Sequence, residues 1–340
     1  MKRSDARPKW LQGLLFLAGI AAVVLIGWLA VQLWPEQELP AGWLRLTPPH
    51  DVMALVEFEG EIWAGGRDGA VVLDRADGSV RREVEADVPL EYVTGMVMSK
   101  QNGALWISHM RGVSRYDGTA WQTLTETDGL TGGRALAVLE AHDGALWIGT
   151  EQGVTRCEGA DCQRFTSADG LVTQGCAYLF EGSEQRLWCG NGYAPEAGVS
   201  VWDGQTWRAM AQQDQLVHPM LNAMLQDEQG ALWFGTGFSA EGGLSIYDGQ
   251  RWRTLSQEDG LAGAKVRYLF EDAAGLIWVG SEYNGILRMG KDVWQVFTPE
   301  EGLAGWEVKA MLQDSDGNLW LGTELGLTRI SHEAWSALSD

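Results

Sequence analysis

One residue type recurs through this chain at a nearly fixed interval. Trp63, Trp106, Trp147, Trp188, Trp233, Trp278 and Trp320 stand 41 to 45 residues apart. Each lies in a similar run: "GEIWAGG", "GALWIS", "GALWIGT", "QRLWCGN", "GALWFGT", "GLIWVGS" and "GNLWLGT". A fixed period of this length signals repeated supersecondary units, and ~40–45 residues fit the four-stranded blade of a propeller. One copy divides into four strand-like runs, "LNAMLQD", "ALWFG", "LSIYD" and "RWRTLS", separated by turn residues. "DGL", or "EGL" in one copy, closes four of the copies: Asp128-Gly129-Leu130, Asp169-Gly170-Leu171, Asp259-Gly260-Leu261 and Glu301-Gly302-Leu303. A lone blade cannot bury both faces, so seven blades must cover one another in a ring. Indoles present in every copy are read as the packing groups between blades, not as stacking platforms for sugars.

The ends of the ring pose a counting problem. Outer-strand runs occur at Trp43, Val80, Trp121, Cys162, Trp207, Trp252, Trp294 and Trp335, eight for seven inner sets. The short hairpin "ISHEAW" favours Trp335 as the outer strand of the last blade. "WLRLT", from Trp43, is then expected to lie alongside or to lead from the membrane segment.

That segment runs from Trp10 to Trp34 without a charged residue. As a helix it reaches roughly 37 Å, enough to cross a bilayer with some tilt. Lys2, Arg3, Arg7 and Lys9 precede it against Asp5 alone, while Glu36 and Glu38 follow. The positive-inside rule keeps the N-terminus cytoplasmic and sends the rest across. The alternative, a cleaved signal peptide, is disfavoured because the apolar run exceeds the usual ~7–15 residues and lacks a small-x-small end. The expected organisation is a cytoplasmic tail (1–9), a signal-anchor helix (10–34), a linker (35–42) and a propeller (43–340). The fold class is all-β, a seven-bladed β-propeller preceded by one N-terminal transmembrane helix.

The chain's formal charge of −21 leaves the exported part near −24. Such a surface repels nucleic acid and anionic lipid. It suits an extracytoplasmic domain in the periplasm or outside the cell.

Four cysteines stand out in a chain exported this way. In the hairpin between third and fourth strands, sister copies read "RYDGTAW", "VWDGQTW" and "IYDGQRW", whereas the third reads "RCEGADC". Cys157 and Cys162 thus replace an aromatic cross-strand pair. Opposed hairpin residues lie about 4.5–5.5 Å apart, within disulfide reach, so a Cys157–Cys162 bridge is expected. Cys176 and Cys189 match Val266 and Val279 of the sixth copy, a diagonal relation in which two buried thiols and a second bridge are both open. None of the four has zinc-ligand spacing, and no cofactor or metal is expected.

The combined pattern of "DGL", "LWIGT" and "GVTR" resembles the repeat of two-component regulator propeller proteins, over residues 43–340. The resemblance implies a seven-bladed propeller outside the cell, often the sensory part of a hybrid histidine kinase. Only "SALSD" follows Trp335, so what is expected to carry over is a binding propeller without its own kinase.

Unequal loops mark where a ligand would bind, since long loops on a rigid scaffold tend to carry function. "GNGYAPEAG" and "GTGFSAEGG" each exceed the usual second-to-third connection, and "GSEYNG" is slightly longer. They bring Tyr193, Phe238, Glu241, Glu282 and Tyr283 to one sector, joined by His218 and Trp306 from the connections into neighbouring copies. Aromatic rings beside carboxylates suit a glycan or a cationic peptide; the plainer reading is a set of loops covering the channel mouth. Arg134, Lys265 and Glu307 precede their inner strands and are expected at the pore rim, lining the channel or merely solvated. The five histidines are scattered without metal spacing, and "DSDGN" (314–318) lacks the rest of a calcium loop. The function expected is a membrane-anchored module binding a glycan, a peptide or an envelope protein. The alternative is a propeller lyase or hydrolase, since streptogramin lyases resemble this chain and are enzymes.

Overall fold

The computed structural model describes residues 38–191, 198–210 and 215–339. The expected tail, the membrane span and Tyr193 lie outside these residues; among the described ones no helix is long and apolar enough to cross a membrane.

Seven antiparallel sheets of four strands follow one another along the chain. They are blade 1 (52–83), blade 2 (95–124), blade 3 (135–165), blade 4 (178–209), blade 5 (221–255), blade 6 (266–297) and blade 7 (308–330, with 43–46). First strands surround the axis and fourth strands form the rim. The second-to-third and fourth-to-first connections emerge on one face, here the loop face. The two tight hairpin connections emerge on the other, the turn face.

The last blade corrects the expected closure. Its outer strand is Trp43–Leu46, paired in register from Trp43↔Ile330 to Leu46↔Leu327. His332–Ser336 is instead a short helix, N-capped by Ser331 and burying Trp335. Trp43 occupies the place that Trp207 and Trp294 hold in their blades, against the glycine of the preceding "DGL" turn: Gly170 meets Trp207, Gly260 meets Trp294, and Gly302 meets Trp43. The two chain ends thus build one blade, which closes the ring.

The repeated tryptophans do pack between blades. Six of the seven are buried, Trp278 and Trp320 completely. Around Trp147 gather Phe165 of its own blade and Trp202 and Trp207 of the next, at centroid distances of 5.9, 5.6 and 5.8 Å. Such contacts contribute about 0.5–1.5 kcal/mol per pair beyond area burial. The arginine of "GVTR" also finds its reason. Arg156, Arg288 and Arg329 lie over Trp147, Trp278 and Trp320 at 5.6, 5.3 and 5.5 Å, directly across the sheet.

A second device links blades on the turn face. The last or penultimate residue of an inner strand accepts a backbone N–H from the preceding blade's first hairpin. Glu140 takes Lys100, Glu181 takes His142, Gln226 takes Ser183, Glu271 takes Glu228, Gln313 takes Ala273 and Glu57 takes Ser315. Blade 2 has Met98 at this position and leaves its link out.

The expected bridge is present: Cys157 and Cys162 are direct cross-strand partners, bonded at a Cα separation of 4.1 Å. Cys176 and Cys189 are bonded too, at 5.7 Å, which decides between the two states the sequence left open. The "DSDGN" turn binds its own backbone: Asp314 accepts the Asp316 and Asn318 amides and the Trp320 indole N–H at 3.0, 2.8 and 2.8 Å. Among the described residues no group of three or more His, Cys, Asp or Glu is placed to hold a metal.

Blade 2 departs from its sisters at the end of its second strand, where His109 replaces the threonine of "LWIGT". The ring is fully buried. Its Nδ1 accepts the Arg111 amide at 3.2 Å, so Nε2 carries the proton and donates to Ser114 Oγ at 2.8 Å. The chain of hydroxyls continues to Thr123 and ends on Asp87. Burial holds the imidazole's pKa down at about 4, against 6.5 in the unfolded chain. Below pH ~6.5 the unfolded state therefore takes up a proton that the folded state refuses until about pH 4. Stability should fall by roughly 2–4 kcal/mol as pH drops through that window, from this residue alone. Urea midpoints measured from pH 7 to 4 should lose that part of their slope in His109→Gln.

Candidate functional site

The loop face is shaped by a small irregularity repeated at the axis. In five blades the inner strand begins with a β-bulge, where the ladder skips one residue: Met53, Leu136, Asn222, Arg267 and Lys309. A bulge turns its extra residue off the sheet, and all five line the central channel. Thr94, Tyr178 and Tyr268 line it as well, around a space of about 140 Å³. The two tyrosine hydroxyls donate to the carbonyls of Met224 and Met311 in the next blade, at 2.7 and 3.3 Å. Burial pushes both phenols up, so they stay protonated.

A chain of ion pairs runs along the channel mouth from blade 1 to blade 6. Arg67 pairs with Asp51 at 3.1 Å, Asp51 with Lys309, Lys309 with Glu307 at 2.9 Å, and Glu307 with Arg267 at 3.1 Å. Asp51 holds a left-handed backbone (φ 53°), unfavourable for a residue with a side chain. Its amide donates to the Glu324 carbonyl, which, with the two cations on its carboxylate, fixes it there.

Outside this chain of ion pairs lies a cleft of about 450 Å³ between blades 6 and 7, lined by Glu282, Tyr283, Asn284, Trp306, Glu307 and Glu324. Its walls are held from behind. Glu324 accepts the amides of Trp306 and Glu307 at 2.8 and 2.9 Å, and the Trp306 carbonyl accepts Gly285 N–H at 2.8 Å. Glu282 pairs with Lys265 and accepts the Tyr283 hydroxyl at 2.7 Å. Burial pushes the Glu282 carboxyl up, but Lys265, the Tyr283 hydroxyl and Arg267 more than offset it, and the net shift is downward. The hydrogen bond to Glu282 raises the Tyr283 phenol. The two rings themselves stay open to solvent, Tyr283 at 62 % and Trp306 at 40 %. The cleft therefore offers two aromatic faces with fixed carboxylate acceptors between them.

Of the residues expected from sequence, Glu282, Tyr283, Trp306 and Glu307 meet in this cleft. Lys265 supports it, with its ammonium 5.8 Å from the exposed Phe238 ring. Glu241 lies across the hairpin from Phe238. His218 is apart from the cleft, its Nδ1 accepting the Met220 amide at 3.1 Å. Arg134 pairs with Glu151 on blade 3 at 2.7 Å. Arg134, Lys265 and Glu307 are not among the residues lining the channel. The bulge gives that place to the residues two further on in blades 3, 6 and 7: Leu136, Arg267 and Lys309. Asp51, Arg67, Arg267, Lys309 and Glu324 were not singled out in the sequence.

Seven four-stranded blades around an axial channel, closed by an N-terminal strand, define a seven-bladed β-propeller. The chain carries the two-component regulator propeller repeat, with residues 305–324 matching that family's model. No curated protein matches the sequence. The extracellular domain of a putative hybrid two component system from B. thetaiotaomicron is similar in structure, with a TM-score of 0.74 at 17% identity, over 88% of this chain and 42% of that one. PorZ, an essential bacterial surface component of the type-IX secretion system of Porphyromonas gingivalis, gives 0.64 at 14%, over 86% and 48%. Virginiamycin B lyase from Staphylococcus aureus, in a catalytically inactive form with quinupristin, gives 0.63 at 14%, over 85% and 98%. This chain thus spans less than half the length of the first two. At these identities the likenesses establish the fold alone.

Proposed function

We propose that this propeller is an extracytoplasmic binding module that presents the cleft between blades 6 and 7 to a ligand or a partner protein. The observation that carries the reading is the exposure of Tyr283 and Trp306 on walls whose carboxylates are already paired or hydrogen-bonded. Rings left open beside an ordered polar frame are what a binding surface requires, because binding then orders few side chains. Two disulfides support a location in an oxidising compartment. The uncharged run from Trp10 to Trp34 supports a membrane anchor with a cytoplasmic N-terminus. A glycan, a peptide and an envelope protein all fit this frame. The structural likeness to sensor ectodomains makes a sensory or scaffolding role the natural context.

The test is crosslinking and capture from membranes with the full chain, compared with Tyr283→Ala/Trp306→Ala. Aromatic anchors of this kind cost about 2 kcal/mol or more when truncated, some thirtyfold in affinity. Equal capture by both proteins would remove the cleft from the proposal.

A further inference from the structure

The loop face is not the only place where ligand-like features converge. On the turn face, between blades 3 and 4, lies a groove of about 380 Å³, within the range of small-ligand pockets. Three glutamines line it: Gln163 on the outer strand of blade 3, and Gln185 and Gln205 in the two hairpin turns of blade 4. All three are exposed, and among the described residues their side-chain amides make no hydrogen bond to another protein group. The half-buried Trp202 also lines the groove, as do Asp143 and Arg156, which pair with each other at 2.7 Å.

Gln185 is the outlier. It holds a left-handed backbone (φ 60°) in the first hairpin of its blade. Blades 2, 3, 5, 6 and 7 give that place to Gly103, Gly144, Gly230, Gly275 and Gly317, with φ between 71° and 87°. Glycine adopts this conformation without steric cost, and glutamine does not. Blade 4 thus keeps a strained residue where the repeat has an unstrained solution. Sparsely populated backbone states concentrate at functional sites.

We infer that this groove is a second binding site, for a short neutral saccharide. A side-chain amide both donates and accepts, as a sugar hydroxyl does, and three converge here without partners of their own. The indole supplies an apolar surface for the C–H face of a sugar ring. Arg156 pairs with both Asp143 and Glu158, and Glu181, which also lines the groove, accepts the His142 amide, so the charged groups here are already held within the fold. This site is on the opposite face from the aromatic cleft and does not depend on it.

The experiment titrates the full chain with cellotetraose, maltotetraose, xylotetraose and tetra-N-acetylchitotetraose, and with tetraalanine as a peptide control. The key variant is Gln185→Gly. It is expected to raise the melting temperature by roughly 1–2 °C, because strain is relieved, and to weaken saccharide binding about tenfold. Gln163→Ala/Gln205→Ala should weaken it at least as much with an unchanged melting temperature. Tyr283→Ala/Trp306→Ala should leave it unchanged, so failure here and failure of the loop-face reading are separable. The inference is overturned if no saccharide binds below ~10 mM, about 2.7 kcal/mol. It is also overturned if tetraalanine binds in their place, if the glutamine variants bind as the parent does, or if Gln185→Gly melts lower.

Discussion

Arg288→Met is expected to destabilise the fold by about 3–5 kcal/mol, the cost of leaving one partner of a buried ion pair alone. Arg288 and Asp272 are both fully buried, and the guanidinium meets the carboxylate at 3.1 and 3.2 Å. The same carboxylate oxygen accepts the Trp278 indole N–H at 2.8 Å, and the other accepts the Ala274 and Leu276 amides. Arg288 itself lies between two indoles, 5.3 Å from Trp278 and 5.5 Å from Trp335. Methionine fills much of the volume but leaves Asp272 charged with no cation beside it. The melting temperature should fall by roughly 5–8 °C for a ring of this size. Arg288→Met/Asp272→Asn should recover part of the loss: it removes the unpaired buried charge, but the amide NH2 then faces N–H donors that a carboxylate oxygen had accepted. Equal melting of the single and double variants would show that the charge pair is not the cause.

The second large effect concerns closure. Trp43→Ala should cost about 3–5 kcal/mol, as for other buried aromatic truncations. Trp43 packs at a tilt against Phe297, with centroids 5.6 Å apart, and its strand-mate Arg45 donates to the Gly302 carbonyl at 3.1 Å. These contacts join the first strand of the propeller to the end of blade 6 and to blade 7, so their loss opens the ring where its two ends meet. Val80 holds the corresponding place in blade 1 but is exposed, and Val80→Ala should cost less than ~1 kcal/mol. Urea unfolding of the two variants side by side measures the difference. A Trp43→Ala protein that unfolds with the parent would mean that the ring does not rely on this strand.

The tryptophan period made the blades legible because every blade meets the same packing demand at the same strand position. The Cys157–Cys162 bridge was legible for a related reason, since aligned hairpins show which residues face each other. Trp335 misled because a buried indole can be supplied from a strand or from a helix. Ser331 offers an N-cap and "HEAWSAL" favours a helix, but the deciding factor was that Trp43 already filled the outer position. The channel-lining Arg267 and Lys309 were hidden by the bulge, which shifts the alternation of faces by one residue. A faint signal exists in the aligned starts "VMA", "ALA", "LNA", "VRY" and "VKA". The Glu and Gln links between blades are likewise visible only once the inner strands are stacked in register. The aromatic part of the cleft was readable from loop length, whereas Glu324 acts on backbone amides and Asp51 on cations far away in the chain, contacts that no spacing in the sequence reveals.

Both ends of the propeller come together on one side. The Ser331 amide donates to the Gly42 carbonyl at 2.8 Å, and the Trp335 indole donates to Gly317 in a turn-face hairpin at 2.7 Å. Among the described residues, both of these contacts lie on the side opposite the cleft. A biosensor chip gripping the propeller by its turn-face hairpins would hold it like a bowl by the foot, with the rings of Tyr283 and Trp306 turned toward the flowing analyte.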